Sequence, residues 1–428
     1  MNQVAEKILQ EVRNHGVISF ARFMECALYC PVYGYYEKEE DTPGRRGDFF
    51  TSVSVGPLFG ELLGLQFSEW LSADIGVPRI DQQVASPIQG DHRCSGLRQT
   101  TDERKMPTDS GRPQGSEIDD KFLRRPLQIV EAGAQNGGLA RDILNWMRTW
   151  RPAVFSDIGY VIVEPSERRR EWQRRMLVDF CNHVQWAKEL SELSGGFGRS
   201  MNRAVRGVIF SNELLDSMPA HRLGWDTVQR VWFEWGVGFS DDQFIWTRLP
   251  NPTPGIEFPG WPEEMLNCLP DGFTIEVCPA AVNWWINAAK ALEHGYLVTF
   301  DYGLTEEELL DPGRASGSLR ASLKHHLSSD LFAEPGQQDI TAHVNFSALC
   351  RAGETAGLRT TELTTQERFL TRIAAPVLKN AQGFSEWTNR RFRQFQTLTH
   401  PNHLGRAFRV LVQSRFSGYS KAGCQPCG

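Results

Sequence analysis

A chain of 428 residues exceeds one ordinary core, and its 40% hydrophobic and 23% charged content excludes a disordered protein. Its 46 basic against 52 acidic side chains leave a net charge of −6, which speaks against a nucleic-acid binder with its usual basic surplus. Nine cysteines scattered over this length do not make a secreted disulfide scaffold, and a reducing compartment suits them better. The stretch Met1 to Ile8 has neither signal nor transit character, and no run of about 18 apolar residues occurs. The expectation is a cytoplasmic protein without membrane insertion.

In chain order, Val4, Ile8, Leu9 and Val12 predict an amphipathic helix over 3–14, ended by Gly16. Ser19 predicts an N-cap for a helix over Phe20 to Leu28. An aromatic, turn-rich stretch runs from Tyr29 to Tyr36, followed by Gly47-Asp48-Phe49-Phe50-Thr51 and a helix from about Leu58 to Leu71. Residues 1–80 thus read as a helical N-terminal section. Over 81–121 Gln, Ser, Asp, Gly, Pro and Arg dominate without hydrophobic period. Such text cannot bury enough apolar surface to offset its ordering entropy, and it predicts a disordered polar insertion.

From 122 to 428 apolar strands alternate with helices. The strands are Leu127–Val130, Gly159–Glu164, Gly207–Ser211, Gly295–Asp301 and Phe408–Val412, with a helix over Leu139–Trp150. The fold class is therefore α/β, a mostly parallel sheet with helices on both faces. Trp- and Phe-rich text with turn signals, within about 222–270, reads as an inserted antiparallel meander, and about 304–360 as a second-lobe segment. The run Arg168-Arg169-Arg170 with Arg174-Arg175, set among Glu167 and Glu171, reads as the solvated face of a helix. Cys424 and Cys427 form a CxxC pair, but a metal site needs two more ligands in a rigid frame, so no metal is expected.

Chemistry concentrates at two places. Glu131-Ala132-Gly133-Ala134-Gln135-Asn136-Gly137-Gly138 lies between a strand and a helix, where glycine lets the backbone approach a ligand. A dinucleotide site favours GxGxxG and a helix N-terminus aimed at pyrophosphate. Here Glu131 closes the strand instead, which better suits S-adenosylmethionine, a ligand with an ammonium and a sulfonium but no phosphate. Glu131, Gly133 and Gly137 are the expected cofactor-binding residues of this loop. Glu164, ending the second strand, is expected to accept ribose hydroxyls, with a capping role as the alternative.

The second place is Asn212-Glu213-Leu214-Leu215-Asp216-Ser217-Met218-Pro219, directly after a buried strand. A guanidinium stays charged in water and presents a planar fork of donors. Glu213 and Asp216 are the expected catalytic residues, gripping such a fork, with Asn212 beside them on the cofactor side. Turn capping is the alternative for Asn212 and Asp216. Glu276 and Asp301 are further acids at strand ends, His343 a candidate proton acceptor, and Asn345 an N-cap for the following helix.

With these segments assembled, the chain resembles the MidA family of bacterial and mitochondrial methyltransferases. The likeness runs through Leu28-Tyr29, Gly34-Tyr35-Tyr36, Gly47 to Ser52, Phe59-Gly60-Glu61 and the Glu131 loop. It continues through Asn212 to Asp216 with Pro219, Asp301-Tyr302-Gly303, Gly317-Ser318-Leu319-Arg320, Pro335-Gly336 and Asp339 to Phe346. The resemblance implies a class I, Rossmann-like fold and S-adenosylmethionine as cofactor. It also implies arginine methylation of a partner protein, a respiratory-complex subunit in the mitochondrial members, and an N-terminal section set as a lid over the cleft. Two positions depart from the family pattern: Ser54 stands where an acid is usual, and Gln135 replaces the middle glycine of the loop. Two other readings remain open at this point, a scaffold that keeps the fold but binds cofactor poorly, and a small-molecule methyltransferase.

Overall fold

The computed structural model describes residues 1–38, 51–75, 126–194, 205–323, 326–328, 330–379 and 383–416. The 81–121 insertion, the Gly47–Phe50 motif and the Cys424/Cys427 pair lie outside the described residues.

Consecutive buried residues such as Ile129-Val130, Val161-Ile162 and Val208-Ile209 require a sheet covered on both faces. That sheet takes strands β1 (Leu127–Ala132), β2 (Ile158–Val163), β3 (Val184–Ala187) and β4 (Val205–Asn212). Four strands of an inserted sheet follow: β5 (His221–Asp226), β6 (Val231–Ser240), β7 (Gln243–Arg248) and β8 (Thr274–Val277). The main sheet then resumes with β9 (Leu292–Leu304), β10 (Arg359–Thr365) and β11 (Phe408–Arg415). Their order across the sheet is β10-β11-β9-β4-β1-β2-β3. β9, β4, β1, β2 and β3 run parallel, and β11 is antiparallel to both neighbours.

The helices comprise α1 (Gln3–His15), α2 (Phe20–Tyr29), α3 (Leu58–Ile75), α4 (Gly138–Trp150), α5 (Glu167–Met176), α6 (Pro279–Ala291), α7 (Phe346–Thr355), α8 (Gln366–Lys379) and α9 (Asn389–Thr399). One face of the sheet packs against α3, α4, α8 and α9 through residues such as Phe59, Ile143, Phe369 and Leu398. The other packs against α6 and α7 through Trp285, Phe346 and Leu349. Strands are added first on one side of β1 (β2, β3) and then on the other (β4, β9). A sheet of this kind offers its ligand crevice at that reversal, beyond the carboxyl ends of β1 and β4.

The N-terminal section follows the expected pattern. Asn2 caps α1, Gly16 leaves it at φ 79°, and Ser19 Oγ accepts from Arg22 N to cap α2. Ile18–Ser19 then pairs antiparallel with Gly236–Val237, so the section is hydrogen-bonded to the meander. Phe20 and Phe23 share a core with Val237 and Ile340, which fixes the exit of α2, and hence Tyr29 to Glu37, relative to the main sheet. The meander itself is antiparallel, β5 lying between β6 and β8, with β7 on β6.

The centre of the sheet depends on two glycines. A Cβ on Gly207 (φ 138°) would stand 2.1 Å from Gln128 O, and one on Gly295 (φ 121°) 1.9 Å from Gly207 O. Backbone cannot retreat from such contacts as a flexible side chain can. Gly207→Ala should therefore lower unfolding free energy by about 3 kcal/mol or more, at or beyond the overpacking range. Gly159→Ala on β2, whose Cβ would meet nothing within 4 Å, should change it by less than about 0.5 kcal/mol. Denaturant unfolding of the two variants checks the contrast.

Candidate active site

β1 delivers the chain into a loop with three left-handed residues, Gly133 (φ 75°), Gln135 (φ 47°) and Gly137 (φ 86°). A Cβ on Gly133 would stand 2.9 Å from Leu214 Cδ1, so the absence of one brings this loop against the turn after β4. Asn136 Oδ1 accepts from Gly138 N, starting α4. Gln135 is a side chain where glycine is easiest, at a cost of roughly 1–2 kcal/mol. Its carbonyl accepts a 2.9 Å hydrogen bond from Gln173 Nε2, which helps hold this conformation.

Gln173, fully buried on α5, joins three structures. Its Nε2 also donates to Glu164 Oε2 at 3.2 Å, and its Oε1 accepts from Trp186 Nε1 on β3 at 2.9 Å. Glu164 further accepts from Ser166 N, and burial raises its pKa while Arg169 opposes the shift. Arg169 donates through Nε and Nη2 to Tyr36 O and lies over the Tyr36 ring. Arg168 Nη1 donates to Glu37 O, and Ser166 Oγ to Glu37 Oε2. These contacts strap the N-terminal section to the turn beyond β2. The basic run is therefore not a uniformly solvated face: Arg168 and Arg169 anchor that section, Arg170 is buried beside Glu167, and only Arg174 and Arg175 are exposed.

Beyond the carboxyl ends of β1, β2 and β4 lies a cavity of about 1130 Å³. Gly133, Gln135, Glu164 and Glu213 line it, with Tyr29 and Tyr36 from the N-terminal section. Trp284, Asn287 and Lys290 of α6 and Lys188 to Ser191 after β3 complete the wall. Gln135 thus forms part of the wall and leaves a large space open.

At one side of this space sit acids. Glu213, in the left-handed region at φ 52°, accepts through Oε1 from Ser52 N (3.2 Å) and Asn212 Nδ2 (3.0 Å). Its Oε2 is shielded from water and has no hydrogen-bond partner among the described residues. Asp301 accepts from Leu214 N, Leu215 N and Tyr302 N. Asp216 is buried behind Glu213, and burial first, then Asp301, Asp339 and Glu213, raise its pKa well above the carboxylate range. Burial pushes Glu213 up to about 8 and Asp301 to about 7. Tyr36 donates to Asp339 Oδ1 at 2.7 Å, Tyr29 shares a 3.0 Å hydrogen bond with Ser217 Oγ, and the two rings stack at 5.6 Å. No ion pair compensates Glu213, Asp216 or Asp301 among the described residues.

Of the residues expected from sequence, Gly133, Glu164 and Glu213 line the cavity; Glu131, Gly137, Asn212 and Asp216 do not. Glu131 lies beneath the loop, its Oε2 accepting from Tyr160 at 2.6 Å, where burial lifts it to about 7. Gly137 turns the chain into α4 against Gln173. Asn212 steers Glu213, and Asp216 backs it. Glu276 is outside the cleft, bonded to Ser318 N and Oγ in the inserted sheet. His343 is half-buried away from the cavity, and burial followed by Arg320 and Arg314 lowers it to about 4, so it is neutral at pH 7. Ser54 closes a turn with Thr51 that aims Ser52 N at Glu213. Sequence reasoning missed Gln173 and the α6 wall and met Tyr29 and Tyr36 only as parts of the family likeness; the spacing of Trp284, Asn287 and Lys290 was the available signal for the α6 wall.

Two outcomes follow from this wiring. Gln173→Leu keeps the volume but strands the Gln135 carbonyl and the Trp186 N–H, and should cost about 2–4 kcal/mol of stability by denaturant unfolding. Glu131, Glu213 and Asp301 titrate near 7, 8 and 7 in the folded chain, against 4.5, 4.5 and 3.8 ordinarily. The folded state thus binds more protons between these limits, so their contribution is full below about pH 4 and is lost as pH rises through 7 to 8. Unfolding at pH 5.5 and pH 8 should show that loss, and Glu213→Gln should reduce it; an unchanged slope would remove Glu213 from the linkage.

Comparison with known proteins agrees with this site. Residues 112–364, more than half of the chain, match the family described as "Putative S-adenosyl-L-methionine-dependent methyltransferase". The chain is 26% identical to the Drosophila melanogaster protein arginine methyltransferase NDUFAF7 homolog, mitochondrial, covering 83% of this chain and 70% of the relative. It is 26% identical to the Rattus norvegicus protein arginine methyltransferase NDUFAF7, mitochondrial, over 95% of this chain and 83% of the relative. A crystal structure from Burkholderia thailandensis bound to S-adenosyl-homocysteine superposes with a TM-score of 0.71 at 26% identity, covering 96% of this chain and 92% of that one. The open sheet, its glycine loop and the matched family agree: this chain belongs to the S-adenosylmethionine-dependent methyltransferases of that family.

Proposed function

We propose that the enzyme methylates arginine side chains of a partner protein, with Glu213 gripping the guanidinium and the N-terminal segment Tyr29 to Glu37 forming a lid wall of the cavity. The observation that carries this reading is the unpartnered, shielded Oε2 of Glu213 at a cavity wall backed by Asp216 and Asp301. A group of carboxylates without an ion pair favours a cationic acceptor, and a guanidinium brings a planar fork of donors to it. The names of the similar relatives point the same way. The family resemblance extends the proposal to a respiratory-complex subunit as the partner.

The residues present fit the cofactor. Gly133 lines the cavity without a side chain of its own, Glu164 stands ready to accept ribose hydroxyls, and the turn Lys188 to Ser191 closes the cavity beyond β3. Gly137 contributes by shaping the loop rather than by contact, as do Glu131 beneath it and Asn212 beside Glu213. When bound, S-adenosylmethionine supplies a methyl group activated by a sulfonium.

What the chain's own residues supply is position and charge. Entry of a guanidinium drives Glu213 from its protonated to its ionised form, because an adjacent cation favours the carboxylate. One guanidinium nitrogen gains the methyl and sheds one proton. Glu213, once ionised by the bound cation, is the acceptor for that proton. Asp301 keeps Glu213 in place through the Leu214 and Leu215 amides, and burial first, then Asp301 and Asp339, raise the proton affinity of Glu213.

The test is transfer of labelled methyl from S-adenosylmethionine into cell lysate by the purified enzyme, followed by mass spectrometry of the marked residue. Methylarginine in a protein is the expected product; label confined to small molecules would sink the reading. Glu213→Gln should lower kcat/KM for the marked protein by about 10²–10³-fold while cofactor affinity stays within about threefold. In the wild type, kcat/KM should climb with pH and level off above about 8, the pKa of the free enzyme's carboxylate.

A further inference from the structure

The turn after α2 presents apolar side chains to solvent at the edge of the cavity. Pro31, Val32 and Tyr33 are all exposed, Val32 at 56% and Tyr33 at 47%, and Pro31 and Val32 line the cavity. Val32 has φ 72°, a left-handed conformation that a branched Cβ tolerates least. The turn is held from behind: Tyr33 N and Gly34 N both donate to Cys30 O, at 3.2 and 2.7 Å. Gly34 has no room for a Cβ, which would stand 2.5 Å from Cys30 N. A valine more than half exposed gains limited packing among the described residues to offset the cost of this conformation, and strain of this kind collects at ligand clamps.

Another part of the wall of the same cavity is α6. Trp284, Asn287 and Lys290 follow one another at helical spacing along its cavity-lining stripe, while Trp285 and Ala288 turn into the core. The cavity, at about 1130 Å³, exceeds the range of roughly 300–1,000 Å³ that serves a single small ligand. Space therefore remains beside a bound cofactor, and the acids at Glu213 select a cation for it.

We propose that the Pro31-Val32-Tyr33 turn, together with the Trp284-Asn287-Lys290 stripe, is the docking lip for the polypeptide that carries the acceptor arginine. The occupant is an extended segment whose arginine reaches Glu213 while an apolar neighbour of that arginine seats on Val32. This rests on the arginine reading above. Charge complementarity between the guanidinium and the acids fixes the inner end of the segment, and continuity of the lip with the cavity fixes its path.

The experiment uses the full chain and, as probe, the protein that labelled-methyl transfer marks in lysate. Val32→Asn and Val32→Gly both adopt the left-handed backbone more readily than valine, so the melting temperature should stay equal or rise. Loss of the apolar contact should raise KM for the marked protein about tenfold, with kcat and the S-adenosylmethionine Kd within about twofold. KM within twofold of the wild type, in folded variants, would overturn the lip and leave the arginine reading standing. Absence of methylarginine from every protein exposed to the wild type would overturn the arginine reading and the lip with it.

Discussion

Asp301 receives the backbone N–H groups of Leu214 and Leu215, and this pair of hydrogen bonds decides where Glu213 goes. The chain leaves β4 at a residue with φ 52°, a conformation that costs roughly 1–2 kcal/mol for a side-chain-bearing residue. Two amides on one carboxylate, plus Glu213 N on Phe300 O at 2.9 Å, hold the turn against that cost. β4 and β9 are thereby joined at their carboxyl ends, and the Glu213 side chain is placed at the cavity wall. Asn212 and Ser52 then fix one carboxylate oxygen, while the other has no hydrogen-bond partner among the described residues. The strained turn and the free oxygen are consequences of one geometry.

That geometry concentrates negative charge where water is scarce. Burying one carboxylate without a cation is costly, and holding neighbours beside it compounds the cost. The structure meets it in two ways: amide donors for Asp301 and raised proton affinity for Glu213 and Asp216. On the arginine reading proposed above, an arriving cation displaces a proton from such a group. That reading links binding selectivity and proton release through the same side chains, and a neutral acceptor of similar shape would gain neither.

The sheet was legible in the sequence because buried parallel strands are written as apolar runs, and Leu127, Gly159, Gly207, Gly295 and Phe408 mark their beginnings. β3 and β10 were not, for physical reasons. Val184-Gln185-Trp186-Ala187 is a short edge strand between polar text, and Arg359 to Thr365 is a polar edge whose pairing with β11 supplies what its side chains do not. Glu164 and Glu213 could be placed at the cavity wall because they follow strands. Glu131 and Asp216 were placed in the cleft because they share those motifs, yet a side chain one step back along a strand or three along a turn faces the interior. Gln173 carried no local signal: its partners Gln135, Glu164 and Trp186 meet only after β1, β2 and β3 align.

Tyr36 connects the two halves of the cavity. Its carbonyl takes two hydrogen bonds from Arg169, next to the turn that carries Glu164, while its hydroxyl donates to Asp339 beside the acids. Tyr29 stacks on the same ring and reaches Ser217 in the turn after Glu213. The N-terminal section therefore touches the Glu164 side of the cavity through backbone and the Glu213 side through phenols, and a single aromatic pair carries both contacts. The anchors of this section, Arg168 and Arg169, belong to the element that begins just beyond Glu164, so the wall and the floor of the cofactor space are set by one turn of the chain.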